Sequence, residues 1–153
     1  MSILGGKSRR SILALTIVIV ILISWLLWFK SAPLTQLTLQ IGEHTIQAEV
    51  ADNDKTRERG LMFRLWQSDN EGMLFVLPEA QGLCIWMKYT FIPLSVAFIT
   101  DNGVIVNIAE MQPLNLQEHC AQKPVKFALE MPKSWFATKS VSVGDKVTGL
   151  PGK

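Results

Sequence analysis

From Ile12 to Phe29 the chain runs without a single charged residue, and this stretch constrains the molecule more than any other. A helix rises about 1.5 Å per residue, so the run approaches the ~30 Å hydrocarbon core of a bilayer. Lys7, Arg9 and Arg10 precede it and Lys30 follows it. The alternative is a cleaved secretory signal, whose apolar region is only about 7 to 15 residues long and ends in a small-x-small site. This run is longer, and the nearest cleavage point, after Ala32, has Lys30 two positions before it and Pro33 immediately after. An uncleaved anchor is the better reading. Trp25 and Trp28 at its far end suit a headgroup interface, and the basic residues before it should stay cytoplasmic.

The sequence therefore divides into a basic cytoplasmic flank over 1–10, a transmembrane anchor over 11–30, a linker over 31–35 and one exported domain over 36–153. The expected location is a bacterial inner membrane, crossed once, with the domain in the periplasm. Four of the 15 cationic residues belong to the anchor and its flanks, which leaves eleven against 13 acidic residues in the exported part. Those charges alternate in sign, with no basic stretch to hold phosphates, so nucleic acid is not an expected partner. No glycine-rich nucleotide motif is present and no cofactor is expected.

The domain carries the punctuation of a β protein. Gln36 to Ile41 and Thr45 to Val50 alternate apolar with polar residues around Gly42-Glu43, which predicts a β-hairpin. Asp52 or Asp54 is expected to cap a short helix through Arg59, with Gly60 ending it. Further strands are expected over 73–77, 84–88, 94–100, 104–109, 125–131 and 140–148, the fourth entered through Asp101-Asn102-Gly103. Residues 111–124 read as a long surface loop, and Pro132 should initiate a turn or helical fragment holding Trp135 and Phe136. Many short strands with one or two brief helices indicate a small β-sandwich or a partly closed barrel.

Several blocks occur in a familiar order: Glu58-Arg59-Gly60-Leu61-Met62-Phe63-Arg64, Gly72-Met73-Leu74-Phe75, Trp86-Met87-Lys88-Tyr89-Thr90 with Ile92-Pro93-Leu94, Ala128-Leu129-Glu130-Met131, and Val143-Gly144-Asp145. Together they resemble the domain of unknown function 192 family over nearly the whole exported part. The resemblance implies a small β-sandwich-like fold, often exported or membrane-anchored, and no established activity. Tyr89 stands where the family usually has Asn, and Ser95 where many members carry Asp.

Cys84 and Cys120 form the only cysteine pair, on the side of the membrane where oxidation is expected. A disulfide is the natural reading; buried free thiols and a redox or metal site are the alternatives, although no Cys-x-x-Cys spacing is present. Met62, Met73, Met87, Met111 and Met131, with His119 beside Cys120, raise copper handling as a minor alternative, because thioether and thiolate sulfur suit Cu(I). Most of these methionines sit in apolar segments, where they read as core packing. No metal site is expected.

What remains is a polar set inside apolar blocks: Glu58, Arg64, Lys88, Thr90 and Glu130. One reading is a structural ion-pair network; the other is a ligand-binding cleft in which Arg64 and Lys88 hold an acidic or polar group and Trp86 or Tyr89 forms an apolar wall. Two function classes follow. The first is a membrane-anchored binding or accessory module for a small molecule, an envelope polymer or a protein. The second is an enzyme using Glu58 or Glu130 as acid or base, with Glu110 a further carboxylate that could join them.

Overall fold

A computed structural model describes residues 6–28 and 33–152. The chain separates into two units, Met1–Pro33 and Leu34–Lys153. The first holds one helix, α1, Gly6–Trp28. The end of the expected span and the start of the linker, residues 29–32, lie outside the described residues. Among the described residues, no helix is long and apolar enough to cross a membrane.

The second unit opens with the expected hairpin, β1 (Gln36–Ile41) and β2 (His44–Ala51), paired from Gln36↔Glu49 to Ile41↔His44. Alternation is what the sheet uses: Leu39, Ile41, Ile46 and Ala48 all enter one buried cluster. A short helix α2, Asp54–Arg59, follows. Its cap is Asn53 rather than Asp52 or Asp54: the Asn53 side chain accepts from Thr56 N–H, and Thr56 Oγ1 accepts from Asn53 N–H in return. This reciprocal pair satisfies two orphan donors, which a lone aspartate could not do.

β3 (Glu71–Gln81) then lies parallel to β2. Parallel neighbours need a long crossover. Residues 52–70 supply it, and so Phe63, Arg64 and Trp66 are carried over one face of the sheet. The remaining strands are β4 (Cys84–Ile85), β5 (Leu94–Ile99), β6 (Ile105–Met111), β7 (His119–Cys120), β8 (Val125–Pro132) and β9 (Val147–Thr148), with a single-turn α3 at Trp135–Thr138. Seven of them form one sheet in the order β6-β5-β8-β3-β2-β1-β9, and β4 pairs with β7 separately.

The large sheet curls on itself as a half-barrel. Its two edges meet at one end, where Val104 bridges Lys146 and Val147 N–H donates to Gly103 O at 2.8 Å. Two expected strands are shorter than the sequence suggests. Residues 86–88 leave β4 because Met87 N–H donates to Asn115 O and Thr90 N–H turns back to Met87 O. Residues 140–146 form turns in which Ser142 N–H donates to the Asp145 carboxylate, and only Val147–Thr148 reaches the sheet.

Both faces of the central strands are covered. The concave face packs Phe127, Leu129, Met131, Trp135 and Phe136 with the hairpin residues. The outer face packs Met73, Phe75, Val96, Phe98 and Ala128 under Leu61, Ile85, Met87 and Ile92. Met73, Met87, Met111 and Met131 are fully buried in these two clusters, as packing residues. Cys84 and Cys120 are joined, with Sγ–Sγ 2.08 Å, directly opposite each other on β4 and β7. Closing 36 residues of chain this way contributes roughly 4 kcal/mol in the chain-entropy model.

Candidate functional site

Glu130 occupies the middle of β8, with Met73 of β3 on one side and Val96 of β5 on the other. Strand alternation sends its neighbours Leu129 and Met131 into the concave core and its own side chain to the outer face. That face is covered, so Glu130 is 3% exposed. Its Oε2 is buried without a hydrogen-bond partner. Burial away from water pushes its pKa up to about 8, against a smaller downward pull from the Arg64 guanidinium. At neutral pH this carboxyl group is largely protonated, and a protonated carboxyl can donate a hydrogen bond as well as accept one.

The carboxyl lines a cleft of about 280 Å³ between the sheet and its covering segments. Leu61 and Met62, from the end of the α2 turn, Phe75 and Leu77 of β3, and Ile85 and Trp86 line it with Glu130. Arg57, Glu58, Arg59, Lys88 and Thr90 complete the polar part of the lining. Gly60 permits the turn over Phe75: its φ is 47°, and a Cβ there would lie 3.2 Å from Phe75 Cζ.

Of the residues expected at a site, Glu58, Trp86, Lys88, Thr90 and Glu130 therefore share one cleft. Arg64 does not line it. Its guanidinium donates to the Glu49 carboxylate, and it acts on Glu130 through its charge. Lys88 lies over two rings, 5.4 Å from the centre of Trp86 and 5.3 Å from that of Tyr89. The ion pairs among the described residues are Arg64–Glu49 and Arg57–Asp54, so the polar set is not one closed ionic network. Glu110 lies elsewhere, where it accepts from Ser95 Oγ at 2.6 Å and from Ser134 N–H. The thiolates that a Cu(I) site would need are tied up in the disulfide, beside Glu118.

Sequence reasoning missed Arg57 and Arg59, the apolar lining at Leu61, Phe75 and Ile85, and Cys84. Cys84 and Trp86 are two apart on an extended segment and share a face, which was the one available signal.

The DUF192 family, described as uncharacterized ACR, matches residues 37–149. The chain belongs to this family. The solved structures similar to it include the following two. One, from Sinorhizobium meliloti 1021, is provisionally described as a transcription regulator; it is 28% identical with a TM-score of 0.75, over 78% of this chain and 97% of that one. The other is a protein of unknown function from Novosphingobium aromaticivorans DSM 12444, 28% identical with a TM-score of 0.72, over 77% and 93% of the two chains. No curated protein matches the chain.

Both departures from the DUF192 pattern have local explanations. Tyr89 has a φ of 56°, in the left-handed region where Asn is favoured for its backbone rather than its chemistry. At Ser95, directly opposite Glu110 in the β5–β6 ladder, the neighbouring strand supplies the carboxylate, and Ser95 Oγ also accepts from Ser134 N–H at 2.7 Å.

Proposed function

We propose that this DUF192 protein is a membrane-anchored exported binding module whose cleft takes a small, largely apolar molecule with one polar group. The single observation that carries the reading is Glu130: a buried carboxyl with an unpartnered oxygen, facing a cleft, is costly unless a ligand completes its hydrogen bonding. A neutral carboxyl suits a carbonyl, hydroxyl or amide group, and Lys88 at the edge favours an acidic or carbonyl-bearing end. Anchoring is supported by α1, where consecutive aliphatic residues from Ile17 to Leu22 are exposed all round the helix, a surface suited to lipid rather than water.

The experiment is a screen of small amphiphiles against the purified full chain, read by thermal shift and repeated on Glu130→Gln and Lys88→Met. A hit should weaken in both variants. Hits that bind both variants as tightly as the parent chain would place the ligand elsewhere and overturn the reading. Orientation is tested separately by a C-terminal reporter active only in the cytoplasm, which should be silent.

Glu130 also favours a second reading, as an enzyme of unknown reaction. A carboxyl titrating near pH 8 is suited to acid or base chemistry at neutral pH, and Glu58 lines the same cleft. Chemical conversion of a screening hit, lost in Glu130→Gln, would move the assignment from binding to catalysis.

A further inference from the structure

Six of the nine large apolar side chains that the β domain exposes, among the described residues, lie in two loops: Phe63, Leu65 and Trp66 in one, Trp86, Tyr89 and Phe91 in the other. The loops are bound together. Phe63 N–H donates to Tyr89 O at 2.9 Å, the Phe63 and Tyr89 rings stack with centres 5.6 Å apart, and Phe91 lies 6.3 Å from Phe63. The exposed Leu114 is drawn alongside, since its N–H donates to Thr90 O. Phe63 and Tyr89 hold φ values of 64° and 56°, an unfavourable conformation for bulky side chains. Backbone strain is accepted here while the rings remain in solvent, the pattern of a surface shaped for contact.

The position of this patch indicates what covers it. The β domain begins at Leu34, which packs against the buried cluster that holds Leu61, Met87 and Ile92 from the same two segments. Gln36 pairs with Glu49, and Glu49 is the ion-pair partner of Arg64, within the aromatic loop. The chain thus enters the domain on the side that carries the patch. The apolar run ends at Phe29, only five residues before Leu34, a reach of at most roughly 17 Å for an extended chain.

We propose that this aromatic face rests in the headgroup region of the bilayer to which the protein is tethered, with the lipid surface as its partner. The inference rests on the anchor reading above. Trp, Tyr and Phe with an adjacent cation are the side chains that partition to this depth, and the Lys88 ammonium above Trp86 and Tyr89 is suited to lipid phosphates. Trp86 belongs both to the face and to the cleft, so the cleft opens beside the lipid surface.

The test uses the full chain in nanodiscs of phosphatidylethanolamine and phosphatidylglycerol, with and without brominated acyl chains. Trp66 is 73% exposed, so Trp66→Phe leaves the fold intact, and the difference between parent and variant emission reports Trp66 alone. The expected result is bromolipid quenching of this component and acrylamide quenching about threefold weaker than for a water-exposed tryptophan. Trp66 emission insensitive to bromolipid overturns the proposal, whether acrylamide reaches it freely or a second copy or another protein shields it. With Trp86→Phe added, because Trp86 lies on the same face, the residual emission comes from Trp25, Trp28 and the buried Trp135. If that too escapes bromolipid quenching, the anchor reading has failed; if it is quenched and Trp66 is not, only the docking has.

Discussion

Replacing Glu130 by Gln should remove most of a pH dependence that the wild-type β domain carries. In the unfolded chain a glutamate titrates near 4.5, whereas in the folded protein burial moves Glu130 to about 8. The folded state therefore holds more protons than the unfolded state between those values, and stability falls as pH rises through the interval. The contribution is fully present below 4.5 and is lost by the time pH passes 8. At about 1.4 kcal/mol per pH unit, the wild-type domain should be weaker by roughly 3 kcal/mol at pH 7 than at pH 4.5, and by roughly 5 kcal/mol above pH 8. Gln keeps the size and neutrality of the protonated acid, so the variant should resemble wild type at pH 5 and become the more stable protein at pH 8. Urea unfolding of the full chain in detergent, followed by near-ultraviolet circular dichroism across pH 5 to 8, measures the difference. The other titrating groups are common to both proteins and cancel in the comparison. Parallel pH curves for the two proteins would refute the argument, because they would mean that Glu130 is ionised and accommodated in the fold.

Lys88→Met should cost no more than about 1 kcal/mol in the same unfolding measurement, since it removes cation–ring contacts with Trp86 and Tyr89 and strands no carboxylate partner; a loss of several kcal/mol would show that Lys88 completes a buried ion pair. Cys84→Ala with Cys120→Ala should lower stability by roughly 2–4 kcal/mol, and melting points equal to the oxidised parent would contradict a bridge in the purified protein. Gly72→Ala should destabilise by roughly 1–3 kcal/mol, because the added Cβ would lie 2.5 Å from Met131 Sδ and 2.7 Å from the Glu130 carbonyl. An unchanged melting temperature would show that β3 and β8 do not pack so closely.

Local order was legible in the sequence wherever one short segment decides its own conformation. The β1–β2 hairpin follows from alternation around Gly42-Glu43, and the β5–β6 hairpin from Asn102-Gly103 and its flanking strands. The disulfide could be read because only two cysteines are present, and the family from the order of several separated motifs. The apolar run likewise needs nothing beyond its own composition to define an expected anchor.

Tertiary structure decided what distant segments do to one another. In sequence, Lys126, Ala128 and Glu130 occupy one face of a strand that reads equally well as a solvated surface. Only the folded chain brings the α2 turn and the β4 segment over that face, and this covering converts Glu130 from an ordinary surface acid into a neutral buried carboxyl lining a cleft. The same holds for Arg64 and Glu110. Each charge is visible in the sequence, but one is satisfied by Glu49 of β2 and the other by Ser95 across a ladder. A side chain's type is local, whereas its burial, its partners and hence its protonation state belong to whichever segments the fold brings around it.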